Sequence, residues 1–445
     1  MYYSKANIYI NEEYMILFDL VNYDIFKIDN ENFKIIQKIN NIKENEIIKL
    51  NSKELEIYNM FFDRSINSSN WEIETVKIHV SNTCNLKCKY CYANQGNYGI
   101  ENSIMSIDSA MEICKFIKKN IKNLKTITFF GGEPLLAIDS IKFICEEFND
   151  LNLNFLLQTN GTILDDSIIE LINRYNIKFT VSLDGDKEIN DINRLYKNNK
   201  GTYDDIIKNI NKINDETKNS LICIQGTYTK ESKENFSKYD LIKHLKEVSN
   251  AKIIKLEDVC SDKENFQIKN NIDKCSDEHL NKLFEFIEKD SLFITDDITT
   301  FLRCFFTKSE YNDNLCEAGK SNITIDTNGN LWPCQLFVNK DEYFMGNIED
   351  GLENLNFEKV QHKLKSVNKS SDLECTKCIA KCFCGSCIGK AAILSNESIY
   401  NFKSFGVNCN YRKDSTYKVL DRLSKYISEN RFEEFNKRLW DVIDI

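Results

Sequence analysis

The chain has no apolar run approaching the ~20 residues that cross a bilayer. Its first ten residues, MYYSKANIYI, also lack the basic stretch and long apolar segment of a secretion signal. Both absences point to a cytoplasmic protein with no membrane partner. Nor is there an excess of basic residues. The 58 Lys and Arg stand against 68 Asp and Glu, a net charge of −10, which argues against a dedicated nucleic-acid partner because phosphate binding needs a basic face. Histidine is scarce, with four scattered residues, and His79 in an apolar segment reads as core. Proline occurs twice, as Pro134 and Pro333. Cysteine, by contrast, is plentiful. Seventeen in a reducing compartment favour metal over a disulfide framework.

At 445 residues the chain can bury two or three cores. Residues 1–72 stand apart: NIYI, YMILFDL and YDIFKI predict short strands, and NENFKIIQKI and SKELEIYNMFFDR predict helices, the second capped by Ser52. Residues 73–260 alternate regularly. TVKIHVS, KTITFF, NFLLQT, KFTVSL, SLICIQGTYT and KIIKLEDV predict six strands, with amphipathic helices between them and Ser106 capping the first. Such βα units make a parallel sheet, and six suggest an α/β fold, a partial (β/α)6 TIM barrel, with chemistry at the carboxyl ends of the strands. Residues 261–303 read as a polar connector and 304–410 as a cysteine-dense domain. Residues 411–445 read as a C-terminal helix packed on the body.

The first motif follows the first barrel strand. Cys84, Cys88 and Cys91 are spaced C-x3-C-x2-C, and the next cysteine is Cys114. A structural zinc site closes with four protein ligands, whereas three thiolates leave one iron of a [4Fe–4S] cube uncommitted. The spacing, its place and Tyr90 before the last cysteine resemble the radical S-adenosylmethionine (radical SAM) superfamily. The resemblance implies that the amine and carboxylate of S-adenosyl-L-methionine chelate the open iron. GGEP, from Gly131 and Gly132 through Glu133 to Pro134, ends the second strand and would expose carbonyls for the cofactor's ammonium, with Glu133 assisting. QTNG, residues 158–161, resembles the family's substrate-facing edge or is a simple turn. SLDG ends the fourth strand; by resemblance Ser182 and Arg194 contact the cofactor, and Asp184 is a further candidate there.

Farther on, Cys316, Gly329 and Cys334 precede CTKCIAKCFCGSC, which carries Cys375, Cys378, Cys382, Cys384 and Cys387, and then Cys409. This resembles the SPASM domain, with one departure: two residues rather than three separate Cys384 from Cys387. Either Cys387 still reaches its cluster or Cys382 takes over. The resemblance implies an auxiliary [4Fe–4S] cluster on Cys316, Cys334 and Cys387, with Cys304 a candidate fourth ligand. It implies a second on Cys375, Cys378, Cys384 and Cys409. If Cys304 is not a ligand, a substrate thiolate could take that corner. Cys114, Cys145 and Cys223 read as small core residues, and Cys260 and Cys275 have no assigned role.

The family's chemistry implies reductive cleavage of S-adenosylmethionine to a 5′-deoxyadenosyl radical that abstracts hydrogen. The chain is similar to ribosomal-peptide maturases that form thioethers in Cys-rich precursors. The 1–72 unit resembles their winged-helix-like recognition element, which would take the precursor's leader as an added strand. A flavodoxin or ferredoxin is the implied electron donor. Asp184, Glu257 and Asp258 are candidate bases for the substrate thiol. An anaerobic sulfatase maturase, a carbon–carbon cross-linking maturase and a non-catalytic peptide-binding scaffold are the alternatives.

Overall fold

The computed structural model describes residues 2–3, 7–63, 71–218, 220–259, 274–390, 399 and 408–443. Six parallel strands form its centre: β5 (Thr75–Ser81), β6 (Thr126–Gly131), β7 (Asn154–Thr159), β8 (Lys178–Ser182), β9 (Leu221–Tyr228) and β10 (Ile253–Asp258). Each neighbours the next in chain order, in register from Val76 opposite Ile127 through Leu157 opposite Phe179 to Leu256 opposite Gly226. A helix covers each crossover, as parallel pairing requires. The helix Ile107–Asn120 begins where expected, with the Ser106 side chain accepting from the Ser109 amide. All six predicted strands agree with those observed to within two residues, because each combines β-branched or aromatic residues with a Gly, Asn or Asp turn.

The sheet is wider than six strands. β11 (Phe293–Ile294) adds in parallel to β10. On the opposite edge β12 (Asn322–Ile325) adds in parallel to β5 and β13 (Leu331–Trp332) returns antiparallel. The stretch read as a connector therefore closes one edge of the sheet and contributes the helices Asp277–Asp290 and Asp297–Phe306. The cysteine-dense stretch closes the other edge. Strands of two to four residues leave too little periodicity to be seen in sequence.

Before the barrel, β1 (Tyr2–Tyr3), β2 (Ile8–Asn11), β3 (Ile16–Asp19) and β4 (Asp24–Lys27) form an antiparallel sheet in that order. Period-two alternation gives it two apolar faces. Ile8, Ile10, Leu17 and Phe26 pack with the helices Asn30–Asn40 and Ser52–Phe61. Asn51, not Ser52, caps the second helix, and Glu54 returns a bond to the Asn51 amide. The other face meets the body: Phe18 and Tyr23 lie 6.0 and 5.7 Å from Phe305, and Tyr9 lies 5.9 Å from Tyr417. The C-terminal stretch is two helices, Cys409–Ser428 and Phe432–Ile443, rather than one. Asn430 in the left-handed region (φ 59°) turns the chain between them, so that Phe435 stacks on Phe284 at 4.9 Å. Among the described residues no helix is long and apolar enough to cross a membrane.

His79 lies in β5, fully buried, with its ring 4.8 Å from Tyr98 and 5.4 Å from Phe130. Neither ring nitrogen has a partner among the described residues. Burial, then nearby Lys77, holds its pKa down at about 3. The unfolded chain takes up this proton near pH 6.5, whereas the folded chain does so only near pH 3. The neutral ring's contribution is thus complete above 6.5 and is lost as pH falls towards 3. By pH 4.5 the loss is about 3 kcal/mol. The urea midpoint of His79→Phe should therefore fall less between pH 7 and pH 4.5 than that of the parent.

Candidate active site and cysteine centres

The loop after β5 carries Cys84, Cys88 and Cys91, and glycine fixes where it lies. The Gly132 amide donates to the Ser81 carbonyl at 2.8 Å and the Glu133 amide to the Thr83 carbonyl at 2.9 Å. A Cβ on Gly131 would stand 2.1 Å from the Ser81 oxygen, and one on Gly132 would stand 2.2 Å from the Thr83 oxygen. On the other side, a Cβ on Gly96 would meet Gly132 Cα at 2.6 Å. Three backbones touch here, which only glycine permits. The GGEP glycines thus bring the turn against the cysteine loop itself, a closer reason than approach to a ligand.

Glu133 is fully buried and its carboxylate is engaged. It accepts from Leu135 N at 3.1 Å, Thr159 Oγ1 at 2.7 Å and Asn160 N at 2.8 Å. It ties the ends of β6 and β7 together, and Pro134 opens the short turn that follows. Asn160 of the QTNG turn is buried against the cysteine loop rather than set on an open edge. Its Nδ2 donates to Asn85 Oδ1 at 2.8 Å and lies 3.7 Å from Cys84 Sγ. The Leu86 amide approaches the same sulfur at 3.4 Å. Sequence reasoning missed Asn85 and the role of Asn160, since neither residue type signals a bond to sulfur.

Tyr90 points inward to a buried pair. Its hydroxyl donates to Asp184 Oδ2 at 2.6 Å and accepts from Arg194 Nη1 at 2.8 Å. The same guanidinium stands 3.7 Å from Asp184 Oδ1, which also accepts from the Thr227 amide at 3.0 Å. Asp184, expected as a cofactor contact or base, is a buried acceptor fully occupied in holding Tyr90 and Arg194. Glu257 and Asp258, at the end of β10, pair with Lys255 and Lys238 at 3.7 and 3.3 Å. Ser182 is half-buried at the end of β8.

These residues fit the group that the motif implies. Burial pushes the Cys84 thiol up to about 12 and Cys88 up to about 11. Such thiols keep their protons at neutral pH until a metal displaces them. Beside them Arg194 Nε is buried without a partner among the described residues, a cationic donor available to a carboxylate.

In the C-terminal region Cys316, Cys334 and Cys387 lie within electrostatic reach of one another. Tyr92 lies within electrostatic reach of Cys91, Cys334 and Cys387. The β12–β13 hairpin brings this group to the rim of the barrel: it pairs with β5, and Lys77 of β5 donates to Gln335 at 3.0 Å. Cys304 and Cys382 are both within electrostatic reach of Tyr23 and Lys369. Of the two alternatives set by the shortened spacing, Cys387 is within electrostatic reach of Cys316 and Cys334, and Cys382 is within reach of Tyr23 and Lys369.

Cys375, Cys378, Cys384 and Cys409 together line a pocket of ≈ 390 Å³, measured to include the space at its mouth. Among the described residues no three His, Cys, Asp or Glu side chains close on a single-ion centre. Cys114 and Cys145 are buried in the core and Cys223 is half-buried in β9. Cys275 is buried near Tyr411, and Cys260 lies outside the described residues.

Residues 78–238 match the radical SAM superfamily, and residues 316–379 match the SPASM iron–sulfur cluster-binding domain. The chain is a radical SAM enzyme with a SPASM domain. Its cofactors are iron–sulfur clusters and S-adenosylmethionine. Among curated relatives, it is 29% identical over 297 residues to the cysteine-type anaerobic sulfatase-maturating enzyme of Clostridium novyi, covering 61% of this chain and 75% of that one. Three other relatives are matched over less than half of their own length. The solved structure of native anSMEcpe with bound AdoMet superposes with a TM-score of 0.63 at 20% identity, covering 79% of this chain and 99% of that one. Streptococcus suis SuiB bound to precursor peptide SuiA gives 0.55 at 18%, covering 92% and 100%. At these identities the two structures establish the shared fold.

Gly132→Ala tests the backbone contact. A methyl group 2.2 Å from the Thr83 oxygen must displace the cysteine loop. Anaerobically purified variant should lose roughly four irons per chain, one cube's complement, while its far-ultraviolet dichroism is retained.

Proposed function

We propose that the enzyme is a maturase that installs thioether links in a Cys-rich, ribosomally made precursor peptide. The observation that carries this reading is the three-thiol group of Cys316, Cys334 and Cys387. With Cys304 not a ligand, a cluster on these three would keep one corner for a substrate thiol. Tyr92 links that group to Cys91, so the sulfur and the carbon it attacks would lie on the same side of the barrel.

When bound on Cys84, Cys88 and Cys91, the cluster and S-adenosylmethionine supply a radical able to take hydrogen from an unactivated carbon. The chain's own contribution is placement. Arg194, held by Asp184 and Tyr90, would offer its Nε to the cofactor's carboxylate, and the carbonyls of Gly131 and Gly132 would accept from its ammonium. Ser182 is set to meet the ribose. The loops at the carboxyl ends of β5–β10 enclose the reacting groups and limit water, since orientation supplies much of the rate. Cys375, Cys378, Cys384 and Cys409 would hold the second auxiliary cluster.

The N-terminal sheet is the proposed recognition element. β4 is one of its two edge strands among the described residues, where a leader segment would extend the ladder. The SuiB–SuiA likeness reaches 92% of this chain against 79% for anSMEcpe, in keeping with an element beyond the sulfatase-maturase body. A flavodoxin or ferredoxin would deliver the electron. Formylglycine formation is the second reading, favoured by the 29% identity to the sulfatase-maturating enzyme.

The test is anaerobic incubation of the full chain with reductant, S-adenosylmethionine and a short Cys-rich peptide, which this reading expects a neighbouring reading frame to encode. A thioether product is lighter by two hydrogens and has one fewer alkylatable thiol. An aldehyde reactive with hydrazide would instead establish formylglycine and overturn the reading. Cys88→Ala should form no 5′-deoxyadenosine, whereas Cys378→Ala should still form it while yielding no cross-linked peptide.

A further inference from the structure

The four-thiol pocket holds two cations that peptide chemistry does not require, one buried and one half-buried. Lys369 is 2% exposed. Its Nζ donates to the carbonyls of Lys381 at 2.9 Å and Cys384 at 3.0 Å and lies 4.9 Å from the Tyr311 ring centre. It forms no salt bridge with a described carboxylate. Arg412, one turn past Cys409, places Nη1 3.0 Å from Cys384 Sγ and also on the Gly385 carbonyl. Its Nη2 donates to Asp297 Oδ1 at 2.7 Å. Both cations line the pocket with Cys375, Cys378, Cys384 and Cys409.

Burying an ammonium with two carbonyls and a ring as its direct partners is costly, although Asp313 lies within electrostatic reach, and a guanidinium set on a neutral thiol gains little. The arrangement becomes favourable once the thiols are thiolates. Four thiolates on an iron–sulfur core leave a net negative charge, which grows by one on reduction. Charge and hydrogen bonds at the sulfurs are among the factors that set such a cluster's potential. We propose that Lys369 and Arg412 are the counter-charges of the cluster on Cys375, Cys378, Cys384 and Cys409, and that they raise its reduction potential so that it can accept an electron during turnover. Asp297, on the far side of the guanidinium, offsets part of that effect. The inference rests on those four cysteines being the ligands.

The test uses the full chain, purified and reconstituted anaerobically, with iron analysis and a redox titration followed by electron paramagnetic resonance. Cys378→Ala identifies the signal of this cluster by its loss. Arg412→Gln and Lys369→Met should each shift that midpoint to lower potential by at least a tenfold change in the reduction equilibrium, about 59 mV for one electron. Arg412→Lys, which keeps the charge, should restore most of the shift, and Asp297→Asn should move the midpoint the opposite way. A merely structural role would not produce shifts of opposite sign from the two ends of one ion pair. If Arg412→Gln and Asp297→Asn keep full iron but leave the midpoint where it was, or move it in the same direction, the counter-charge proposal fails. If Cys378→Ala keeps the parent's iron content, the ligand assignment has failed instead. Should Lys369→Met not fold, the Arg412 and Asp297 variants still decide the matter.

Discussion

The contact between the ends of β5 and β6 is the constraint on which the rest of the site depends. Gly131 and Gly132 bring one backbone onto the carbonyls of Ser81 and Thr83, and Gly96 closes on the other side. That packing fixes where the cysteine loop leaves the sheet. Glu133 extends the constraint sideways to β7 through Thr159 and Asn160, and Asn160 returns it to Cys84 through Asn85. On the far side of the loop Tyr90 reaches the ends of β8 and β9 through Asp184 and the Thr227 amide. The carboxyl ends of five adjacent strands are thereby linked around one loop by hydrogen bonds that tolerate little rearrangement.

Among the ligand candidates, burial raises the thiols of Cys84, Cys88, Cys316, Cys334 and Cys378, and each group has a cation beside it: Arg194 near Cys88, Lys77 near Cys334, and Arg412 and Lys369 near Cys384. Metal loading must expel protons from these thiols, and the cations lower the cost of the charge left behind. Loading and the final packing of the C-terminal region are therefore coupled.

The six central strands and the motifs at their ends were legible in the sequence. Strand length, β-branched content and turn residues such as QTNG and SLDG agree at those positions, and consistency across levels is what makes a sequence readable. What escaped reading shares one physical trait: it depends on contacts distant in the chain. β11, β12 and β13 are too short to show a period. They exist because Ile253 and Thr75 offer open ladder positions. Asp184 reads as a free carboxylate until Tyr90 and Arg194, 94 residues before it in one case, are placed on it. Lys369 sits in an unremarkable polar stretch, VNKSSD, and only folding buries it. The shortened spacing between Cys384 and Cys387 left two ligand sets open. Folding places Cys387 within electrostatic reach of Cys316 and Cys334, and Cys382 beside Tyr23.

The face of the N-terminal sheet that carries Tyr9 and Phe18 is completed by the helices Asp297–Phe306 and Cys409–Ser428, and Tyr9 and Asn11 bond to Asp421. Strand β2 thus awaits a surface that follows it by some 410 residues. During synthesis that apolar face stays uncovered until the helix Cys409–Ser428 has emerged, and the two segments mature as one unit rather than in order.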